Sequence, residues 1–139
     1  MSVDFSIFSR LGIVYVRYSG FAWLDDSFAA FARYAQHPDY RPGQRQLVDL
    51  SGVAGFENDY AKLLALQARK ADNFTGHESQ TLLVYYAPTR VAYDMAMLIR
   101  RSWEGVEGMV IRVAETERQV LELLGQPEES IADLMEKAG

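Results

Sequence analysis

Few residues in this chain of 139 have the types and spacing that chemistry needs, and Glu57-Asn58-Asp59 are the first of them. Together with Asp49 they bring three carboxylates into one short stretch. Carboxylates whose surroundings split their pKa values can serve as general acid and general base, and such oxygen ligands also suit Mg²⁺. The same residues equally fit the cap and first turn of a helix, where carboxylates meet free N–H groups and the positive end of the dipole. His37 and His77 are the two histidines, and neither has a histidine or carboxylate at metal-ligand spacing. Both read as turn or surface residues. There is no Gly-x-Ser-x-Gly elbow, no Gly-x-Gly-x-x-Gly and no phosphate-cradling loop. Neither a catalytic set, a metal nor a cofactor is expected.

Two further groups invite a binding role. Thr89 and Arg90 follow Ala87-Pro88 at the end of an apolar run. A helix N-terminus beside a guanidinium there could hold an anion, and α/β sheets commonly place ligands after such strands. The plain alternative is a Pro/Thr helix start. Tyr15, Arg17 and Arg112, with one of Tyr85 or Tyr86, are spaced to share one face of a sheet. Tyrosine and arginine bury well at interfaces while keeping a polar end satisfied, so that face predicts a homodimer contact or a ligand groove. An ordinary monomer surface or core would use the same residues.

The elements that must position these groups follow from periodicity. Val3, Phe5 and Ile7 alternate with polar neighbours, a turn spans residues 9–12, and a second strand covers 13–18 and ends at Gly20. Leu24, Phe28, Phe31 and Ala35 form a helical stripe, with Asp25 and Asp26 capping its start and His37-Pro38 stopping it. A short strand, 46–50, leads through a flexible loop, 51–55, to a helix over 58–71. The inner face of that helix is read as Tyr60, Leu63, Leu64, Gln67 and Ala71. A loop over 73–80 precedes an apolar strand over 81–87. Thr89 then caps a helix carrying Val91, Met95, Leu98, Ile99 and Trp103. A fifth strand, 109–113, comes next, followed by a helix with Thr116 and Gln119 at capping-box spacing. That helix holds Val120, Leu121, Leu123 and Leu124 inside and ends at Gly125. Pro127-Glu128-Glu129 are expected to start a last short helix carrying Ile131, Leu134 and Met135.

The order ββαβαβαβα predicts an α/β domain with a mixed, mostly parallel five-stranded sheet. One domain over 1–139 is expected, with 126–139 as a helical extension. The chain has no cysteine, so disulfides and cysteine-based zinc sites are excluded. A net charge of −5 argues against nucleic acid, which calls for a basic stripe. No run approaches the ~18–20 apolar residues of a membrane span, and the start does not read as a signal peptide. A cytoplasmic location is therefore expected.

The element order, with Leu47-Val48-Asp49-Leu50-Ser51-Gly52-Val53, resembles the anti-sigma-factor-antagonist (STAS, SpoIIAA-like) fold. Those residues are similar to that family's strand and Asp-Leu-Ser, Gly-Val segment. Thr116 and Val120-Leu121-Glu122-Leu123-Leu124 are similar to its closing helix. The resemblance implies a four-turn βα superhelix with helices mainly on one sheet face. It also implies a regulatory module working by contact with another protein. Aligned without gaps, Glu57-Asn58-Asp59-Tyr60 fall where typical members carry Asp-Ser-Ser-Gly, so Asp59 replaces the phosphorylated serine. One carboxylate charge is a poor substitute for the ~−1.5 to −2 of phosphoserine, so a kinase-switched cycle is not expected. The first expectation is a non-enzymatic interaction module touching an unidentified regulatory protein through Glu57, Asn58, Asp59 and Tyr60. The alternative is a small-molecule or lipid-binding domain with an aromatic-lined sheet face or pocket.

Overall fold

The computed structural model describes residues 2–74 and 80–138. Its elements are β1 (Val3–Phe8), β2 (Ile13–Ala22), α1 (Leu24–Ala35), β3 (Arg45–Phe56), α2 (Tyr60–Phe74), β4 (Thr81–Tyr86), α3 (Arg90–Ser102), β5 (Met109–Ala114), α4 (Glu117–Leu123) and α5 (Ile131–Ala138). The sheet order is β1-β2-β3-β4-β5. The β1–β2 pair is antiparallel and the other three pairs are parallel. This is the α/β class and mixed sheet that the periodicity predicts. The hairpin turns where Leu11 and Gly12 both donate to the Phe8 carbonyl, and Gly12 takes the left-handed conformation.

Strands β2 and β3 run further than expected. Gly20, read as a stop, lies inside β2, next to one of two register shifts against β3. The segment 51–55, read as a flexible loop, is strand, and Val53 is buried in the core. Its glycines serve close packing: a Cβ on Gly52 would lie 3.2 Å from the Tyr18 carbonyl oxygen, and one on Gly55 3.1 Å from the Phe21 ring. Asp49 is therefore a mid-strand residue.

Helix edges also differ in their chemistry. Asp25 and Asp26 do not cap α1. Leu24 N donates instead to Glu57 Oε1, 33 residues away in sequence. Asp26 accepts from the backbone and hydroxyl of Ser2. On α2 the inner face carries Leu63, Leu66 and Gln67, while Leu64, expected inside, is 43% exposed. Helix α2 runs to Phe74, three residues past its expected end. Residues 75–79 of the loop expected there, with His77, lie outside the described residues. Leu123 of α4, expected inside, is exposed, and α5 is started by Ser130, whose Oγ accepts from Asp133 N, in place of Pro127. Thr89 and Thr116 do cap α3 and α4, each accepting from the backbone N–H three residues on at 3.2 Å. Replacing Thr89 by alanine should cost about 1 kcal/mol, readable as a lowered urea midpoint with an unchanged slope.

Strand alternation divides the interior. Val14, Val16, Tyr18, Val48, Leu50, Leu83, Tyr85 and Ile111 face one way and pack with α1, α2 and α3. Ile13, Leu47, Val84 and Ala114 face the other way and pack with Val120, Leu121, Leu124, Ile131 and Leu134 of the C-terminal helices. Among the described residues three helices thus lie on one face and two on the other, where the resemblance implied helices mainly on one face. Arg45 stitches the second side together. Its guanidinium donates to the Leu11 carbonyl at 2.6 Å and to the carbonyl of Leu124, the C-cap of α4.

Candidate functional site

The feature that stands out is a cavity between the sheet and helices α1, α2 and α3. The space within it open to the centre of a water-sized sphere is about 80 Å³. Each bordering element contributes by its own period. Strands β2, β3 and β4 supply Val14, Val16, Tyr18, Gln46, Val48, Leu83 and Tyr85. Helix α1 supplies Leu24, Ser27, Ala30, Phe31 and Tyr34, and α3 supplies Met95, Leu98 and Ile99. Helix α2 supplies Leu63, Leu66, Gln67 and Lys70, at the i, i+3, i+4 and i+7 positions of one face.

The polar groups on this wall are few and mostly engaged. Tyr18 Oη and Ser27 Oγ lie 2.8 Å apart, and Tyr34 Oη donates to Gln44 Oε1 at 2.6 Å. Burial pushes the hydroxyl pKa of Tyr18, Tyr34 and Tyr85 up, so all three stay neutral. Glu57 sits at the end near the N-terminus of α1, bonded to Leu24 N and, at 3.2 Å, to Lys62 Nζ. Gln67 Oε1 and Lys70 Nζ are among those that are not engaged. Gln67 is buried and its Oε1 has no hydrogen-bond partner. Lys70 has no hydrogen bond or ion pair among the described residues. Its ammonium lies 5.9 Å from the centre of the Phe31 ring. The residue as a whole is partly exposed, yet protein surrounds the amine well enough that desolvation lowers its pKa to about 8.

The acidic stretch does not assemble. Glu57 faces the helix side of the sheet and caps α1, and Asp59 Oδ1 accepts from Lys62 N in the first turn of α2. Tyr60 lies under the Arg101 guanidinium at 5.1 Å, and Asn58 is exposed. Asp49 points to the opposite face, where it accepts from Tyr15 Oη at 2.5 Å and from the Ser51 backbone and hydroxyl. These carboxylates thus hold local structure and do not face a common point. Among the described residues no group of His, Asp and Glu is arranged to hold a metal ion.

Of the sheet-face set, Tyr15, Arg17, Tyr86 and Arg112 share one side. Tyr15 and Tyr86 pack partly under the C-terminal helices, and both arginines are exposed. Tyr85 is on the other side, 4% exposed, at the cavity wall. Thr89 is the α3 cap, and Arg90 bridges to Asp94 at 3.2 Å on an exposed surface. His37 Nδ1 accepts from Asp39 N in a turn. Sequence reasoning missed Lys70, which follows Arg69 and looks like a solvated helix end. The spacing from Leu63 to Leu66, Gln67 and Lys70 was the available signal. No helix among the described residues is long and apolar enough to cross a membrane. No protein-family model and no curated protein matches the chain, so the chemistry of the cavity has to be taken from its own residues.

Proposed function

We propose that the chain binds a small, mostly apolar molecule with a polar end in the cavity between its sheet and helices α1–α3, without transforming it. The observation that carries this is the cavity itself. Protein interiors are packed like organic crystals, with few voids larger than a water molecule. Here about 80 Å³ stays open in the main core. That is several times the ~10–15 Å³ a cavity needs before it can hold one water. Aromatic and aliphatic walls with a few placed polar groups are the usual make-up of a ligand site.

This ligand role stands ahead of the partner-contact module because two members of the expected contact tip, Glu57 and Asp59, are spent on helix caps. A place in the SpoIIAA-like fold belongs to the same proposal. It is supported by Leu47–Val53 lying in the central strand β3 and by the antiparallel entry into a parallel sheet.

Hexan-1-ol, with about seven non-hydrogen atoms, is a fitting probe. At a ceiling of ~1.5 kcal/mol per atom its dissociation constant can be no tighter than roughly tens of nanomolar. Titration followed by amide NMR should move resonances of Leu66, Val48 and Met95 while leaving those of Leu121 and Leu134 in place. A spectrum unchanged up to saturating hexan-1-ol overturns the proposal.

A further inference from the structure

Resting on that ligand role, the polar end of the cavity narrows the ligand's chemistry. Gln67 and Lys70 stand one turn apart on the inner face of α2. Gln67 Nε2 donates to Ser102 Oγ at 2.9 Å, and Ser102 Oγ donates to the Ile99 carbonyl at 2.5 Å. That chain fixes the amide and leaves Oε1 as a buried acceptor with nothing to accept. Lys70 is the complementary case, a donor with no acceptor among the described residues.

The other groups that line the cavity do not neutralise Lys70. Helix α1 presents Phe31 and Tyr34, the sheet presents Gln46, Tyr18 and Tyr85, and α3 presents Leu98 and Ile99. The tyrosines are neutral, and Glu57, the one carboxylate among the described lining residues, is at the other end with Leu24 N and Lys62. An ammonium stripped of much of its water without a counter-charge is costly. Conversely, an arriving carboxylate recovers a cost the empty protein already bears. An ammonium hydrogen bond to an ionised acceptor is also among the stronger kinds.

We infer that the ligand is a small organic acid whose carboxylate meets Lys70 Nζ and whose short apolar body fills the cavity.

Isothermal titration at pH 7 of the full chain with hexanoate and with hexan-1-ol tests this directly. Hexanoate should bind roughly tenfold to a hundredfold more tightly than the alcohol. In Lys70→Met, a volume-conserving change, that ratio should fall to one or below. Above pH 8 the wild-type ratio should shrink, because the free protein increasingly holds a neutral amine. Equal or better binding of the alcohol by the wild type overturns the acid while leaving the ligand role intact. A hexanoate preference that survives in Lys70→Met overturns Lys70 as the anchor. Binding of neither probe overturns the ligand role, and the acid with it.

Discussion

Truncating Leu121 to alanine should lower folding stability by about 2–5 kcal/mol, a large share of the roughly 5–15 kcal/mol typical of a domain. Leu121 is fully buried against Ile13, Leu47 and Val84 of the sheet and Leu134 of α5. Helix α4 has seven residues, too few to hold helical form without tertiary packing. Its neighbour depends on it, because Ile131 N at the start of α5 donates to Glu117 Oε1 at 2.9 Å. Losing the Leu121 side chain therefore leaves a cavity and loosens two helices together. Urea unfolding should show a lower midpoint, and a reduced slope as well if the pair undocks in the native state. Leu123→Ala, at a 41% exposed neighbouring position, should stay within about 0.5 kcal/mol of wild type. Equal effects of the two substitutions would refute the docking of α4 on this face.

Stability should also climb as pH rises from about 8 towards 10. Lys70 titrates at about 8 in the folded chain against an ordinary 10.5. Between those values the unfolded chain binds more protons, and stability then rises with pH. The gain is at most about 3 kcal/mol, and the partial exposure of the residue makes that a ceiling. Tyr18, Tyr34 and Tyr85 act in the opposite sense. Their pKa values are raised above 10.0, so the stability they contribute is present below pH 10 and is lost as pH climbs beyond it. The profile should accordingly peak near pH 10. Lys70→Met should be more stable than wild type at pH 7 and flat from 8 to 10. Urea midpoints at each pH unit would check both curves, and a flat wild-type profile would rule out a desolvated Lys70.

The architecture was legible in the sequence because each strand and helix carries its own period. Thr89 and Thr116 were legible as caps because their partners lie three residues on. What escaped depends on distance along the chain. Glu57 caps a helix that starts 33 residues earlier, and no local pattern signals that. Gly52 and Gly55 read as loop residues, yet they are strand positions where β2 would crowd a Cβ. Leu64 and Leu66 could not be ranked by hydrophobicity alone, since only the phase of α2 on the sheet separates them. The cavity was the least legible feature. It is set by how far three helices stand from the sheet, and no residue type marks space that is left unfilled.

The sheet also partitions the molecule's evolutionary freedom. The side chains around the cavity and those under α4 and α5 belong to separate clusters that meet through strand backbone. Substitution energies at sites without shared partners add nearly independently. A lineage can therefore reshape the chamber on one side while the cluster on the other side keeps the chain folded.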